Sequence, residues 1–322
     1  MNQNIAIIGV GLGGVLVGKA LAKQGIQVSY FGTREDAQWH PAALVHPFPG
    51  RSFALAPEVR SALEVLEQWM IEELPGQPVW VERPLEPQSR ELRTYLASRE
   101  DYPSWVEHHL DGETLRYRPA WVVDMTKIPA PEIVSKTADS VQCGDETVIG
   151  FGTDQRAFDA VVICPGRRLP EWWNVEVVEQ GGEVVLSDQH VQPVGLASCG
   201  AAHMLPWHNG MALSKSFLAP GQVRADEEVL EDFGARSGLD LAGSEVWRGV
   251  RCISDDRQPI CGRVHSNVYL LGALGARGLL LGPLLAERLT DLIISGEDRI
   301  PDGYSINRYA GSAGPGPRFI ST

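Results

Sequence analysis

A short apolar run, Asn4-Ile5-Ala6-Ile7-Ile8, leads directly into Gly9-Val10-Gly11-Leu12-Gly13-Gly14 and then into a helical pattern over residues 15–23. An apolar run of that length reads as a buried parallel strand. Gly9, Gly11 and Gly14 fit G-x-G-x-x-G, in which each glycine has its own task. One makes the tight turn, one lets the backbone approach a pyrophosphate, and one lets the helix pack against the strand. The helix N-terminus then offers free N–H groups and a partial positive charge to phosphate. Gly9, Gly11, Leu12, Gly13 and Gly14 are therefore candidate dinucleotide-binding residues. Gln27-Val28-Ser29-Tyr30-Phe31 supplies the second strand of a β-α-β unit.

One part of that fingerprint is missing. An acid is expected at the end of the second strand to hold the adenosine ribose. That place falls on Gly32, with Glu35 and Asp36 just beyond it. Thr33 and Arg34 are the candidates on the adenosine side, and Arg34 leaves a 2′-phosphate open as an alternative.

Residues 32–57 contain Pro41, Pro47, Pro49 and Pro57 and little periodicity, so a long loop is expected. It carries His40, His46 and Arg51, for which packing or solvation is the plainer reading and function the alternative. A helix is expected from Glu58 to about Leu74, with acids early and Leu63, Leu66 and Met70 on one face. Strands are expected at residues 78–82, 114–118 and 120–123, and a helix at 88–99. Asp159-Ala160-Val161-Val162-Ile163-Cys164 is another buried strand, ending in the Pro165-Gly166 turn. Residues 181–245 read as β-rich, with a hairpin turn at 206–210 and an amphipathic helix at 225–233. Near the C-terminus the opening pattern returns. Val268-Tyr269-Leu270-Leu271 is a strand, residues 272–278 form a glycine-rich loop, and residues 279–294 form a helix. The tail after Gly311 reads as coil.

The net charge of −13 disfavours nucleic acid as a default partner, because an acidic surface repels phosphate backbones. Arg83, Arg90, Arg93 and Arg99 are the one cluster that could form a local basic patch. The five cysteines are widely spread with no C-x-x-C, which argues against a metal site and for reduced, buried thiols. No apolar run reaches about 18 residues, so no membrane span is expected. The N-terminus has no basic, signal-like region, and a cytoplasmic protein is expected.

Three separated pieces then occur in one order: the N-terminal glycine motif, the strand ending at Gly166, and the block from Trp247 to Ile294. In the last piece, Trp247-Arg248-Gly249-Val250-Arg251 reads as W-x-G-x-R. Asp256, Pro259 and Gly262 read as D-x-x-P-x-x-G. Together these resemble the FAD-dependent D-amino-acid oxidase superfamily, in particular glycine oxidases and the oxidase domain of the bifunctional tRNA 5-methylaminomethyl-uridine biosynthesis enzyme. The resemblance implies an α/β fold, in which a Rossmann-like FAD-binding domain carries an inserted antiparallel-sheet (α+β) substrate domain. The expected boundaries are 1–75, 117–175 and 248–322 for the FAD domain, and 76–116 and 176–247 for the substrate domain. It also implies FAD as cofactor. Gly166 and the loop Gly275, Ala276, Arg277, Gly278 and Leu279 would join the N-terminal glycines in holding it. Arg251 matches the arginine that holds a substrate carboxylate, and Arg277 a second arginine near the substrate. His203 stands where relatives often carry Tyr, which bears on substrate identity.

The implied activity is oxidation of the C–N bond of a carboxylate-bearing amine, an amino acid or an N-substituted glycine, by hydride transfer to flavin. Three alternatives stay open. One is oxidative removal of a carboxymethyl group from a modified tRNA uridine. Another is a non-catalytic flavin-fold binding protein. The third is a nicotinamide dehydrogenase, which accounts for the N-terminus but not for the C-terminal block. The partner expected is a small-molecule amine, and neither the electron acceptor nor the oligomeric state is legible.

Overall fold

The computed structural model describes residues 3–33, 40–48, 53, 55, 58–144, 146–189, 195–214, 218–309, 316 and 318–321. The chain divides into two compact units. The first comprises Met1–Trp39, Pro129–Gln180 and Val250–Thr322, and the second comprises His40–Ile128 and Gly181–Gly249.

The first unit is built on a six-stranded sheet. Its order is Ile260–His265, Val268–Gly272, Ala160–Ile163, Ile5–Ile8, Val28–Phe31, Ile133–Val134. All neighbours run parallel except Ile260–His265 against Val268–Gly272. Both faces are covered, which is why Ile5–Ile8 and Ala160–Ile163 are apolar at every position rather than alternating. One face carries the helices Leu12–Lys23 and Gly278–Ser295. The other turns Ala6, Ile8, Phe31, Val161 and Ile163 toward Val141, Ile149, Phe151 and Phe158 of a second sheet. That sheet has four strands, in the order Asp154–Phe158, Thr147–Phe151, Ser140–Cys143, Phe319–Ser321. Its last member corrects the expectation of a coil tail, because Val141, Gln142 and Cys143 pair in parallel with Phe319, Ile320 and Ser321.

The second unit holds an eight-stranded sheet. Its order is Glu245–Ser254, Val177–Ser187, Gly210–Ser214, His203–Trp207, Leu196–Cys199, Trp80–Pro84, Thr114–Arg118, Glu107–Asp111. From Val177–Ser187 onward the recorded pairs are antiparallel except one. Leu196–Cys199 runs parallel to Trp80–Pro84, because it joins two separate excursions of the chain. The expected hairpin forms, with His203–Trp207 turning at His208-Asn209 into Gly210–Ser214.

Residues 40–75 and 117–128, expected with the nucleotide-binding unit, lie in this second unit. Pairing explains the difference. Ala42–Val45, inside the expected long loop, forms a strand against Trp121–Asp124, whose other edge takes Gly76–Pro78. The helix Val59–Glu72 buries Val59, Ala62, Leu63, Leu66 and Trp69. Trp69 therefore takes the inward place expected of Met70, and no acid stands in the first turn.

Glu183 lies inside this unit at 2% exposure. Arg224 donates to it through Nε at 3.1 and 3.2 Å and to Asp232 through Nη1 at 2.9 Å. Replacing one member of a buried ion pair strands the other without solvation. Arg224→Met is expected to lower unfolding free energy by about 3 kcal/mol or more, measured by urea denaturation, with Glu183→Gln in the same background recovering part of the loss.

Candidate cofactor and substrate site

Two strand–turn–helix corners meet in the first unit. At the first, Gly9 has φ of 99°, and its N–H donates to the Phe31 carbonyl at 2.8 Å. A Cβ on Gly9 would sit 2.1 Å from the Cys164 carbonyl oxygen, and one on Gly14 would sit 2.0 Å from the Gly9 carbonyl oxygen. Neither place admits any other residue without moving backbone. The helix Leu12–Lys23 begins at Gly11 with no side-chain cap and no acid in its first turn.

The second corner repeats this geometry. After Val268–Gly272 the chain passes through Ala273 and Gly275, at φ of 50° and 53°. The helix Gly278–Ser295 then starts with no side-chain cap and no acid in its first turn. The corners touch. A Cβ on Gly13 would lie 3.5 Å from Leu274 Cδ1, and one on Gly278 would lie 3.0 Å from Leu12 Cδ2. The two helix N-termini are thus neighbours, and the Gly166 turn follows the strand beside Gly9 with φ of 54°.

Those features fit the anionic centre of a dinucleotide: two uncapped N-termini, acid-free first turns, and glycines where a Cβ would collide. The adenosine end is different. Gly32 is buried with its α-carbon turned to Val10, so that a Cβ would meet Val10 Cγ2 at 3.3 Å. No acid occupies that place. Thr33 is half-buried, and Arg34, Glu35 and Asp36 lie outside the described residues.

The structure separates the motif residues around Arg251 by role. Trp247 lays its indole over Gly249, where a Cβ would come 2.1 Å from Cη2, so those two form a packing unit. Asp256 organises the following turn. Its Oδ1 accepts from Ser254 Oγ at 2.7 Å and Gln258 N at 2.9 Å, and its Oδ2 accepts from Arg308 Nε at 2.7 Å. That turn presents Gln258, whose Oε1 accepts from Arg277 Nη1 at 2.7 Å. Ile253 bridges Leu274, so the strand carrying Arg251 runs antiparallel beside the second glycine corner. Arg251 is two residues before Ile253 and is half-buried, and burial pulls its guanidinium below the usual range. The chain segments bearing Arg251 and Arg277 are therefore brought side by side within the first unit.

His203 belongs to the second unit, where it pairs with Cys199 and Ser214 at the start of its strand. It is the neighbour of His46, for which the sequence gives packing or solvation as the plainer reading and function as the alternative. His46 Nδ1 accepts from the Phe48 N–H at 3.3 Å and contacts the Tyr117 hydroxyl at 3.2 Å. Tyr117 in turn bonds to Arg83, whose guanidinium covers the Phe53 ring at 4.4 Å. Burial, then the charges of His203 and Arg83, push His46 down to about 3. Arg83, expected with a basic surface patch, is drawn into this cluster. The alternation Val81, Arg83 on one strand, opposite Tyr117 and Leu115, was the signal available in the sequence.

All five cysteines are free and buried. Burial raises Cys164 to about 12, which makes it a packing group rather than a nucleophile. Among the described residues, no helix is long and apolar enough to cross a membrane.

The FAD dependent oxidoreductase family (DAO) matches residues 131–292, half of the chain. A tRNA 5-methylaminomethyl-2-thiouridine biosynthesis bifunctional protein, MnmC, of Maricaulis maris (strain MCS10) is 23% identical over 313 residues. The match covers 91% of this chain, which spans about half (52%) of that relative's length. The glycine oxidase of Geobacillus kaustophilus superposes with a TM-score of 0.74 at 17% identity, covering 96% of this chain and 100% of its own. The iminodiacetate oxidase of Chelativorans sp. BNC1 gives 0.67 at 20% identity, covering 94% and 98%.

Asp256 is the hinge of the turn that presents Gln258. Burial opposes ionisation, but bonds from Arg308, the Gln258 N–H and Ser254 outweigh it and hold the carboxyl below its ordinary value. A lowered folded pKa contributes stability above the unfolded value of 3.8, which is lost as pH falls through the folded pKa. Asp256 is 38% exposed, so the contribution is modest, at most about 1 kcal/mol. Thermal melts are expected to show Asp256→Asn less stable than the parent at pH 7, with the gap closing as pH falls below the unfolded value of 3.8.

Proposed function

The chain belongs to the FAD-dependent oxidoreductase family, and on that premise we propose that it oxidises the C–N bond of a carboxylate-bearing amine, either an amino acid or an N-substituted glycine. The carrying observation is the arginine pair: Arg251 on the strand that runs beside the second glycine corner, and Arg277 within the corner itself. The structural neighbours, a glycine oxidase and an iminodiacetate oxidase, support the same substrate class.

FAD supplies the acceptor for the hydride and its electron pair. Gly9, Gly11, Leu12, Gly13 and Gly14, with Gly166, would hold its pyrophosphate. Gly275, Ala276, Arg277, Gly278 and Leu279 would hold the flavin side. The positive end of the Gly278–Ser295 helix would favour negative charge there. Arg251 would clamp the substrate carboxylate. A guanidinium gives a two-pronged, permanently charged grip, and partial burial strengthens it by removing competing water. Arg277 would be kept in one rotamer by Gln258, itself fixed through the Asp256 turn. Orientation of the α-carbon is then the protein's main contribution to rate. His203 is the candidate for a residue that sets substrate specificity. Five free thiols fit a reducing compartment such as the cytoplasm.

The match to MnmC favours one further reading, oxidative removal of a carboxymethyl group from a modified tRNA uridine. The net charge of −13 gives that reading no electrostatic support.

The experiment is anaerobic titration of the purified protein with N-substituted glycines, D-amino acids and tRNA bearing carboxymethylaminomethyl-uridine. Bleaching of a visible flavin band by a small amine is the expected outcome, and bleaching by tRNA alone would select the second reading. No flavin band, even after added FAD, would sink both. Arg251→Ala is expected to lower kcat/KM by about tenfold to a hundredfold, the loss of one charge-assisted carboxylate grip. Arg251→Lys should recover only part of it.

A further inference from the structure

His46 is held by two interactions on one ring nitrogen. The Phe48 backbone N–H can only donate, so Nδ1 must carry the lone pair. The Tyr117 hydroxyl, on the same nitrogen, must then donate as well. Tyr117 oxygen is left to accept from Arg83. Hydrogen bonds therefore run one way, from Arg83 to Tyr117 to His46, and the imidazole proton is forced onto Nε2. A second proton on Nδ1 would face the Phe48 N–H and the Tyr117 O–H, with the Arg83 charge close behind. Burial and that charge keep the ring neutral, at about 3.

The far side of the ring is the informative one. Among the described residues, Nε2 has no hydrogen-bond partner, and the residue as a whole is half-buried. His203 is near enough for its charge to act on His46. Other polar groups in the same core include Tyr102, whose hydroxyl donates to the Phe53 carbonyl at 3.1 Å, Tyr95, Trp207 and the buried Cys199. Phe48, Phe53, Leu115 and Leu205 surround them. A neutral N–H donor with a permanent cation two bonds behind it is built for an oxygen acceptor bearing negative charge.

We propose that His46, oriented by Tyr117 and Arg83 and neighboured by His203, forms a carboxylate-binding subsite on the inner face of the second unit's sheet. The subsite deepens the amine-oxidation reading by requiring a carboxylate-bearing ligand, but it stands on the tautomer of His46 and not on the flavin. Tyr117 and Arg83 are positioning residues, and His46 is the group that touches ligand.

The test uses the full chain labelled with 15N-histidine. Two-bond proton–nitrogen spectra are recorded between pH 5 and 8, then with increasing iminodiacetate at constant ionic strength. Diethylamine, the same skeleton without carboxylates, is the control. The expected result is a His46 signal in the neutral Nε2–H form throughout, shifted saturably by iminodiacetate and not by diethylamine. His46→Leu should weaken iminodiacetate binding at least tenfold. His46→Gln, which keeps an N–H donor, should bind within about threefold of the parent. Tyr117→Phe should leave the fold intact and raise the Nδ1–H fraction. An Nδ1–H tautomer in the parent, titration near the ordinary histidine value, or an unmoved His46 signal would each overturn the proposal. A His46 response in a protein whose flavin never bleaches would support the subsite while sinking amine oxidation. Bleaching without a response would do the reverse.

Discussion

Backbone crosses backbone at Gly9, and the first unit is organised around that crossing. A Cβ there would lie 2.1 Å from the Cys164 carbonyl oxygen, and the Gly9 carbonyl oxygen in turn occupies the space a Cβ would need on Gly14. With both glycines in place, Ile5–Ile8 can lie in register between Val28–Phe31 and Ala160–Ile163. The helix after it can then press directly on the sheet. Side-chain bulk at either position would separate these layers by more than a dispersion contact can span. The same closeness leaves the N-terminus of the helix Leu12–Lys23 bare, and the second glycine corner sets another bare N-terminus beside it. Packing economy and anion binding therefore come from one arrangement.

The C-terminal motif shows how conspicuous residues divide between framework and chemistry. Trp247 and Gly249 answer each other sterically, while Asp256 ties a turn to Arg308. Neither pair needs a ligand to explain it. What they accomplish is placement: they fix the strand bearing Arg251 and the Gln258 side chain that engages Arg277. Holding a long cationic side chain in one rotamer is costly in entropy. A hydrogen-bonded framework meets that cost before any substrate arrives.

The second unit applies the same logic on the inner face of its sheet. Its inner face is mostly aromatic and aliphatic, yet it takes in Arg83, Tyr117, His46 and His203. Such groups are tolerated inside only when each finds a partner. Here the partners form a directed chain, so burial sets a proton position as well as a packing arrangement.

Local pattern alone was enough to place the two strand–glycine–helix corners, the buried strand ending at Cys164 and the hairpin at His208-Asn209, and so to predict a nucleotide-binding α/β unit with a β-rich partner. Each of these depends on residues a few positions apart, where steric demand and hydrophobic period are written in consecutive letters. Other features had no local signature. Ala42–Val45 is a strand only because Trp121–Asp124 lies beside it, and Phe319–Ser321 only because Ser140–Cys143 offers an edge. Gly32 replaces an expected acid where Val10 fills the neighbouring space. His46 sat in an apparent loop, and its tautomer rests on Tyr117, 71 residues away. The chain's sequence determined which turns could approach phosphate, because glycine is a property of one position. Tertiary structure decided which polar groups share a site, because strand pairing and buried hydrogen bonds join positions whose separation along the chain carries no signal.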